Sequence, residues 1–338
     1  MSLVKCNLSL VICTRNRAPQ LAESLQTLTG LQCQVPWELI IVDNGSKDQT
    51  QDVIKNYGER LRPKTVVEPQ AGLGRARNRG WALSQGEIVV FTDDDCYPAD
   101  DFLYSVVRCF EEDPRLGFIG GRILLHDPED YRITIQEQAY RQNLCPGEFI
   151  PPGLIHGANF ACRRAALQSV EGFDERFGAG AVFPCGEDVD ILARMSARGW
   201  RGAYDPRPLV YHHHRRKSQL DVLRLLRQYA RGRGAYYSKC ILDPKLRTAY
   251  LRNWYGTMRQ QLWKITAREV AGGIEFFVRS AAAQLYSIGA RRSVAKTHSS
   301  YPENYLIHEG HQLSKGTGNP TDTAATASSN GHEPQSSS

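Results

Sequence analysis

The stretch GEIVVFTDDDC, residues 86–96, decides the fold of this chain. Residues 87–91 form a short apolar run after a glycine, which predicts a buried strand. The run stops at three adjacent carboxylates, Asp93, Asp94 and Asp95. In an open parallel sheet, ligands collect beyond the carboxyl ends of the strands, and Mg²⁺ and Mn²⁺ prefer carboxylate and phosphate oxygens. The stretch therefore predicts a divalent cation that holds a phosphate, although acidic runs are also typical of solvated turns.

Strand and helix signals alternate before this stretch. Apolar runs at residues 8–13, 37–42 and 64–68 predict strands, and the segments between them carry helical spacing. The segment AGLGRARNRG begins at Ala71, and it is followed by a helical run at residues 81–83. This βαβ alternation predicts an α/β fold with a mostly parallel sheet and its ligand loops at one edge.

The side chains of an extended segment alternate between its two faces. If the strand continues through the acidic triplet, Asp93 and Asp95 share one face and Asp94 lies on the other. After the triplet we expect a helix over residues 99–112, a strand over 116–125, a helix over 187–198 and a strand over 204–211.

Composition places the chain among soluble globular proteins, with 338 residues, 41% of them hydrophobic and 23% charged. Its nine cysteines contain no CxxC pair, and its start lacks the apolar region of a secretory signal, so we expect a reducing, cytoplasmic setting. The net charge of +6 is unevenly spread. Residues 215–296 hold eighteen Lys or Arg against four Asp or Glu, so this region is strongly basic and the rest is acidic.

Several ordered sequence blocks carry a family resemblance. They are VICTRNR, IIVDNGSKDQT, AGLGRARNRG, VVFTDDD, HGANFACRR, GFDERFG, GEDVDILAR and VYHHH. In this order the chain resembles a family-2 glycosyltransferase with the GT-A fold, a Rossmann-like, mostly parallel sheet flanked by helices. The resemblance runs from about Leu8 to about His214, and it implies a glycosyltransferase domain over 1–214 with a nucleotide-sugar half to about residue 98 and an acceptor half from 99. Beyond it we expect a basic helical region over 215–300 and a disordered tail over 301–338.

The resemblance implies a nucleoside-diphosphate-sugar donor, a divalent cation and transfer with inversion at the anomeric carbon. It places Thr14 and Arg17 in the first nucleotide-contacting loop. Asp43 matches the carboxylate that binds the base or ribose, and Arg77 and Asn78 match a polar pair in the helix that covers the nucleotide.

The acidic triplet matches the family's DxD motif. The resemblance implies that Asp93 favours the ribose side and that Asp95 holds the metal. Asp93 is a further candidate metal ligand and Asp94 a candidate contact of the nucleotide sugar, because three adjacent acids permit more than one register. It also matches His212 to a histidine that helps to hold the metal or diphosphate, although the run of three histidines leaves the choice open. The cation is Mg²⁺ or Mn²⁺.

The acceptor side is expected to follow from the later blocks. A carboxylate across the sugar can take the proton of the attacking hydroxyl, and the resemblance implies that Asp188, beside Glu187, is this base. Capping of a helix N-terminus is the structural alternative for Asp188. Gly157, Asn159 and Asp174 are expected to shape the acceptor side, where a glycan, a lipid-linked or a small molecule supplies the hydroxyl. Asp174 could contact sugar hydroxyls or cap a turn.

Other functions fit the sequence less well. A dehydrogenase would need a third glycine where Arg77 stands, and a sugar nucleotidyltransferase would need a glycine- and lysine-rich loop near the first strand. A non-catalytic protein could bind nucleic acid or an anionic membrane through residues 215–296. We expect this basic region to be a helical cap on the enzyme that adds peripheral contact with the inner face of the membrane, without nucleic-acid binding.

Overall fold

The computed structural model of the protein describes residues 8–260 and 263–299, and one mixed sheet runs through the fold. The strands of this described part are β1 (Leu8–Thr14), β2 (Trp37–Asp43), β3 (Lys64–Val67), β4 (Ile88–Asp93), β5 (Cys96–Pro98), β6 (Leu116–Leu125), β7 (Gln142–Leu144), β8 (Asn159–Arg163) and β9 (Arg201–His212). The helices are α1 (Ala18–Leu28), α2 (Thr50–Asn56), α3 (Gly58–Leu61), α4 (Leu73–Leu83), α5 (Phe102–Glu112), α6 (Arg164–Ser169), α7 (Glu187–Ala197), α8 (Gln219–Leu242), α9 (Arg247–Gln260) and α10 (Trp263–Ser299).

One half of the sheet is parallel, with strand order β3-β2-β1-β4. Thr14 at the end of β1 lies beside Asp43 of β2, and Cys13 lies beside Asp93 of β4. The middles of β1, β2 and β4 are buried apolar runs, which explains why these segments form inner strands. Their carboxyl ends therefore meet at one edge, as the βαβ pattern predicts.

The other half of the sheet is mixed. β8 runs antiparallel between β4 and β6, and β9 runs parallel to β6 but antiparallel to β5 and β7. The pairing of β5 with β9 sets Cys96 opposite His212. In addition, the amide of His213 donates to the carbonyl of Asp95 over 2.9 Å. The histidine run is thus held against the acidic triplet although more than a hundred residues separate them in sequence.

α4 begins at Leu73, earlier than the helical run that the sequence shows from Trp81, and it includes Arg77 and Asn78, which the resemblance places in a helix. The glycines of this segment are compatible with helix because they pack closely rather than break it. A Cβ on Gly80 would lie 2.4 Å from Cγ1 of Val11, so glycine lets α4 approach the sheet. The strand predicted over 116–125 is confirmed by β6.

The C-terminal helices pack on the sheet domain without a break at residue 214. The second half of α8 buries Tyr236 and Tyr237 with Phe177, Phe183 and Phe276 in one apolar cluster. The chain divides into two compact units, Met1–Gln284 and Leu285–Ser338, and everything below concerns the first. The predicted tail over 301–338 lies outside the described residues. Among the described residues, none of the helices combines the length and apolar character that a membrane crossing requires.

Candidate active site

An open cleft of about 620 Å³ lies at the carboxyl edge of the parallel strands. It brings together ten of the residues that the sequence predicts for the site: Thr14, Arg17, Arg77, Asp93, Asp94, Asp95, Gly157, Glu187, Asp188 and His212. These residues come from both halves of the sheet and from the start of α7, so the cleft joins the two halves that the resemblance assigns to donor and acceptor.

The acidic triplet does not alternate as an extended strand would. β4 ends at Asp93, and the next two residues form a turn, so the expected sharing of a face by Asp93 and Asp95 is wrong. Instead, Arg17 contacts the carboxylates of both Asp94, at 3.3 Å, and Asp95, at 2.5 Å. The hydroxyl of Thr14 donates to Asp94 over 2.7 Å. Asp93 instead contacts Arg77, at 3.1 Å.

The two buried members of the triplet titrate in opposite directions. Burial raises the pKa of Asp94 to about 7, although Arg17 opposes the shift. Burial also acts to raise the pKa of Asp95, but the hydrogen bond and charge of His212, together with Arg17, hold it well below its usual range. Of these two carboxyl groups, Asp95 is therefore the one that stays ionised at neutral pH.

Arg77 links the acid triplet to the start of α7. Arg77 is 1% exposed, and its guanidinium contacts Asp93 at 3.1 Å and Glu187 at 3.0 Å and donates to the carbonyl of Gly157 over 3.2 Å. A Cβ on Gly157 would lie 2.5 Å from Nη2 of Arg77, so glycine is required where the backbone passes this group. Burial and the neighbouring Asp188 raise the pKa of Glu187 to about 7 against the opposing charge of Arg77.

Asp188 is half-buried and faces the cleft from the first turn of α7. Its Oδ2 accepts from the amide of Gly157 over 2.9 Å, and its Oδ1 accepts from the amide of Val189 over 2.8 Å. The predicted capping role and the predicted catalytic role are compatible here, because each oxygen has a second lone pair for a further partner.

His212 is the histidine of the run that faces the acid triplet. Its Nε2 lies 3.4 Å from Oδ1 of Asp95, and Nδ1 lies 3.1 Å from the carbonyl of Thr134. Burial acts to lower the pKa of His212, but Asp95 outweighs it and raises the pKa. His213 instead packs against Tyr97, and Nε2 of His214 lies 2.9 Å from the carbonyl of Tyr131.

A divalent cation fits beside Asp95 and His212. Possible ligand atoms of Asp95, Cys96 and His212 lie within 4.8 Å of one another, and no other such group of His, Cys, Asp or Glu occurs among the described residues. An ionised carboxylate and an imidazole are suitable ligands for Mg²⁺ or Mn²⁺. Cys96 belongs to the buried apolar core. Asp93 is not part of this group.

Four predicted site residues lie outside the cleft lining and have structural partners. Asp43 accepts from the amide of Ser46 over 2.8 Å and closes the turn after β2. Asn78 binds both the amide and the carbonyl of Phe173, at 2.8 and 2.9 Å.

The other two residues of this set are equally engaged. Asn159 donates to the carbonyls of Arg122 and Pro208, at 2.9 and 3.0 Å. Asp174 binds Arg176 and Lys239, at 2.6 and 2.7 Å. The donor- and acceptor-side roles of all four therefore stay predictions.

Sequence reasoning missed several residues of the cleft. Asn44 holds one wall, since its amide group donates to the carbonyls of Glu68 and Gln70 and accepts from the amide of Gly72. Its position directly after a predicted strand end is a signal that could have identified it. Other missed residues include His156 and a wall from the basic region, which is formed by Arg216, Leu225, Gln228, Tyr229 and Arg233. No local motif marks this wall.

Comparisons with known proteins agree with this geometry. The sequence pattern described as Glycosyl transferase family 2 matches residues 9–177, half of the chain. A pre-mycofactocin glycosyltransferase of Mycobacterium tuberculosis is 30% identical over 219 residues, which cover 62% of this chain and 43% of that protein. This chain thus spans less than half the length of that relative.

Two further proteins extend the comparison. An N-acetylglucosaminyl-diphospho-decaprenol L-rhamnosyltransferase of Mycobacterium tuberculosis is 28% identical over 244 residues, 61% of this chain and 76% of that protein. The solved structure of a mannosyltransferase from Pyrobaculum calidifontis, in complex with GDP-Man and Mn²⁺, matches with a TM-score of 0.57 and 20% identity over 85% of this chain and 80% of that one. This likeness confirms the predicted GT-A architecture with C-terminal helices.

Proposed function

The chain belongs to glycosyl transferase family 2, and on that basis we propose that it transfers a sugar from a nucleoside-diphosphate sugar to an acceptor hydroxyl, with inversion at the anomeric carbon. One observation carries the proposal. The ionised Asp95 and the half-buried Asp188 line the same cleft, and Arg77 ties the elements that bear them together. Inverting transfer needs an anion-stabilising end and a base in one cavity.

The donor end is the region of Arg17, Asp95 and His212. Asp95 and His212 would hold Mg²⁺ or Mn²⁺, which when bound stabilises the charge that develops on a leaving diphosphate. Arg17, which is partly exposed and lies between Asp94 and Asp95, adds a cation that can face phosphate oxygens. Thr14 fixes Asp94 behind this group. Asp43 and Asn78, which lie outside the cleft lining, stay proposed contacts of the nucleotide.

The acceptor end is the region of Asp188. In the proposed mechanism Asp188 takes the proton of the attacking hydroxyl as that oxygen bonds to the anomeric carbon. The amides of Gly157 and Val189 keep the carboxylate pointed at the cleft. Glu187 contacts Arg77 and acts as a positioning residue rather than as the base.

The identity of the substrates stays open within this proposal. The donor classes GDP-Man and UDP-GlcNAc occur in complexes of structural neighbours, and the acceptor could be a glycan, a lipid-linked or a small molecule. A peripheral contact of residues 215–296 with the inner, cytoplasmic face of a membrane is part of the proposal and is supported by the charge of this region.

Screening of nucleotide sugars tests the function. The full chain is expected to hydrolyse one donor slowly when Mg²⁺ or Mn²⁺ is present, and chelation of the metal is expected to stop the reaction. Asp188→Asn should lower acceptor-dependent turnover about a hundredfold or more, because the base is lost, while donor binding stays unchanged. Asp52→Asn, which changes an exposed carboxylate of a surface pair, serves as the control. Full turnover by both Asp188→Asn and Asp95→Asn would show that the site assignment is wrong.

A further inference from the structure

The five arginines that line the cleft within the described part of the chain differ in their partners. Arg17 and Arg77 bind carboxylates of the cleft itself. Arg233 pairs with a glutamate of α10, and Arg15 donates to a backbone carbonyl over 3.1 Å. Arg216 has neither an ion pair nor a side-chain hydrogen bond with residues 8–260 or 263–299. Its guanidinium is therefore the one in this set whose donors are available to a ligand.

The backbone of Arg216 is fixed although its side chain has no partner. Its carbonyl accepts from the amide of Tyr131 over 2.9 Å, and its amide donates to Nδ1 of His214 over 3.0 Å. The preceding Arg215 has a φ of 58°, in the left-handed region that residues with a Cβ rarely adopt, and its amide donates to Asp130 over 2.8 Å. Strained backbone held in this way is typical of binding sites. The free guanidinium is thus carried on a defined turn.

The hydroxyl of Tyr229 is a second free donor on the same wall. Tyr229 is half-buried and lines the cleft, and its hydroxyl has no hydrogen-bond partner among the described residues. Burial, Cys185 and Asp188 raise the pKa of Tyr229, whereas the charge of Arg216 acts to lower it. The hydroxyl therefore stays protonated at neutral pH and lies within electrostatic reach of both Arg216 and Asp188.

These two free donors favour an anionic ligand group. A guanidinium presents its N–H donors in a planar fork, which matches the paired oxygens of a carboxylate or a phosphate. The rest of the cleft is rich in carboxylates, which repel an anion except beside an unpaired cation. A neutral ligand would leave Arg216 without a counter-charge.

The position of the wall assigns this group to the acceptor rather than to the donor. The proposed diphosphate site lies at Arg17, Asp95 and His212, where a bound metal ion would supply further positive charge. Tyr229 instead lies within reach of Asp188, the proposed base. An anion on this wall is therefore at the acceptor end of the cleft.

We propose that Arg216 and Tyr229 bind an anionic group of the acceptor, a phosphate or a carboxylate, while the reacting hydroxyl of the same molecule lies at Asp188. This inference rests on the proposed glycosyl transfer and narrows its acceptor to acidic molecules. The anionic group takes no part in the bond changes. It orients the acceptor, whose hydroxyl gives its proton to Asp188 as its oxygen bonds to the anomeric carbon and the bond to the diphosphate breaks.

Inorganic phosphate probes this site without any glycosyl transfer. The full chain is first saturated with Mg²⁺ and with the nucleoside diphosphate that raises its melting temperature most, so that the donor end is occupied. Calorimetry should then still detect phosphate binding. Arg216→Gln should weaken the binding at least about tenfold and Tyr229→Phe about threefold, because a charged pair contributes more than a neutral hydrogen bond. Arg216→Lys should recover part of the loss, since it keeps the charge without the planar fork.

Arg224→Gln is the matched control for the loss of one positive charge. Arg224 lies on α8, its side chain is 73% exposed, and it is outside the cleft lining. Phosphate should bind this variant as it binds the unchanged protein. The proposal is overturned if the unchanged protein binds no phosphate, or if Arg224→Gln loses as much affinity as Arg216→Gln. It is also overturned if the nucleoside diphosphate displaces the phosphate, which would mean that Arg216 faces the donor.

Transfer to paired acceptors tests the role of the wall in the reaction. A panel of sugars is compared with the same sugars bearing a phosphate or a carboxylate. The anionic member of an accepted pair should have a kcat/KM at least about tenfold higher. Arg216→Gln should remove this preference by raising the KM of the acceptor and not that of the donor, whereas a merely structural role would lower kcat for both members alike. A neutral sugar with an equal or higher kcat/KM overturns the acceptor class.

This proposal and the proposed function fail in different ways. If no nucleoside diphosphate binds and no donor is hydrolysed, the proposed function fails, and phosphate binding by the unliganded protein still tests Arg216. If a donor is hydrolysed but Arg216→Gln binds phosphate as the unchanged protein does, the function stands and the anion site is wrong.

Discussion

Two clusters of buried charge in this fold differ in how their charges are matched. In the cleft, the acid triplet and Glu187 share the guanidinium groups of Arg17 and Arg77. Beneath α8, Asp174 and Asp190 are paired with three cations. These are Arg176, Arg194 and Lys239, and Lys239 reaches both carboxylates at 2.7 and 2.6 Å. We call this second set the inner network.

This difference in charge matching indicates which of the two clusters can bind a ligand. The inner network has more cations than carboxylates, and Arg194 also donates to the carbonyls of Val170 and Gly172, at 2.6 and 2.8 Å. Its ion pairs and hydrogen bonds hold α7 and α8 to the loop after α6. The cleft cluster has more carboxylates than paired cations and opens to solvent, so an added cation would lower its repulsion. A ligand site is therefore indicated by carboxylates that exceed their paired cations and are open to solvent, rather than by buried charge alone.

The largest effect is expected within the acid triplet. Asp95→Asn should lower turnover about a thousandfold, because it removes the ionised carboxylate beside His212 from the proposed metal group. Asp94→Asn should lower it about tenfold or less, since asparagine resembles the protonated carboxyl that the raised pKa of Asp94 favours. Steady-state rates at saturating metal measure both. Equal losses in the two variants would contradict the assignment of Asp95.

Substitutions in the inner network should lower the stability of the protein rather than its activity. Asp174→Asn should lower the free energy of unfolding by about 2–3 kcal/mol, because Lys239 loses a partner in a mostly buried setting. Turnover of the folded variant should change little. Urea unfolding followed by circular dichroism measures the loss. A variant with normal stability but no activity would instead place Asp174 on the acceptor, as the sequence predicts.

The sequence predicts those features of the two clusters that depend on local patterns, and it does not predict contacts between residues far apart in the chain. The strand ends that carry Thr14 and Asp93 follow from local hydrophobic patterns, and the family blocks pick out Asp188. The cations of the inner network could not be assigned in this way. Lys239 lies in a region whose excess charge suggests only a basic surface, and its partner Asp174 is 65 residues away.

The conformation of the acid triplet also could not be predicted from the local sequence pattern. Alternation predicts faces only while a strand continues, and here the ion pairs of Arg17 and Arg77 accompany a turn directly after Asp93. The cleft wall from α8 is a further case, because Leu225 and Tyr229 gain their position from the docking of residues that follow them. Such contacts join elements far apart in sequence and leave no local pattern.

Acid titration tests whether the ion pairs of Asp174 in the inner network stabilise the fold. Burial acts to raise the pKa of Asp174, but Arg176 and Lys239 hold it well below its usual range. A lowered folded-state pKa stabilises the fold above the unfolded value of about 3.9, and this stabilisation is lost as the pH falls through the folded value. The gap in unfolding free energy between the unchanged protein and Asp174→Asn should thus be constant near neutral pH and shrink below about pH 4. A gap that stays constant to lower pH would show that the ion pairs do not cause it.

Substitution of Glu187 should give the smallest change in the free energy of unfolding, with a pH dependence opposite in sign to that of Asp174. Its pKa is raised to about 7, since burial and Asp188 outweigh the ion pair with Arg77. A raised folded-state pKa favours the fold below the unfolded value of about 4.3, and that contribution is lost as the pH rises through 7. Glu187→Gln removes this titration, so its stability relative to the unchanged protein should improve between about pH 4 and pH 7. Unfolding curves across this range measure the trend, with Asp174→Asn as the control that stays flat. A flat result for Glu187→Gln would mean that Arg77 keeps Glu187 ionised, and the cleft would then carry still more uncompensated negative charge for a cation to offset.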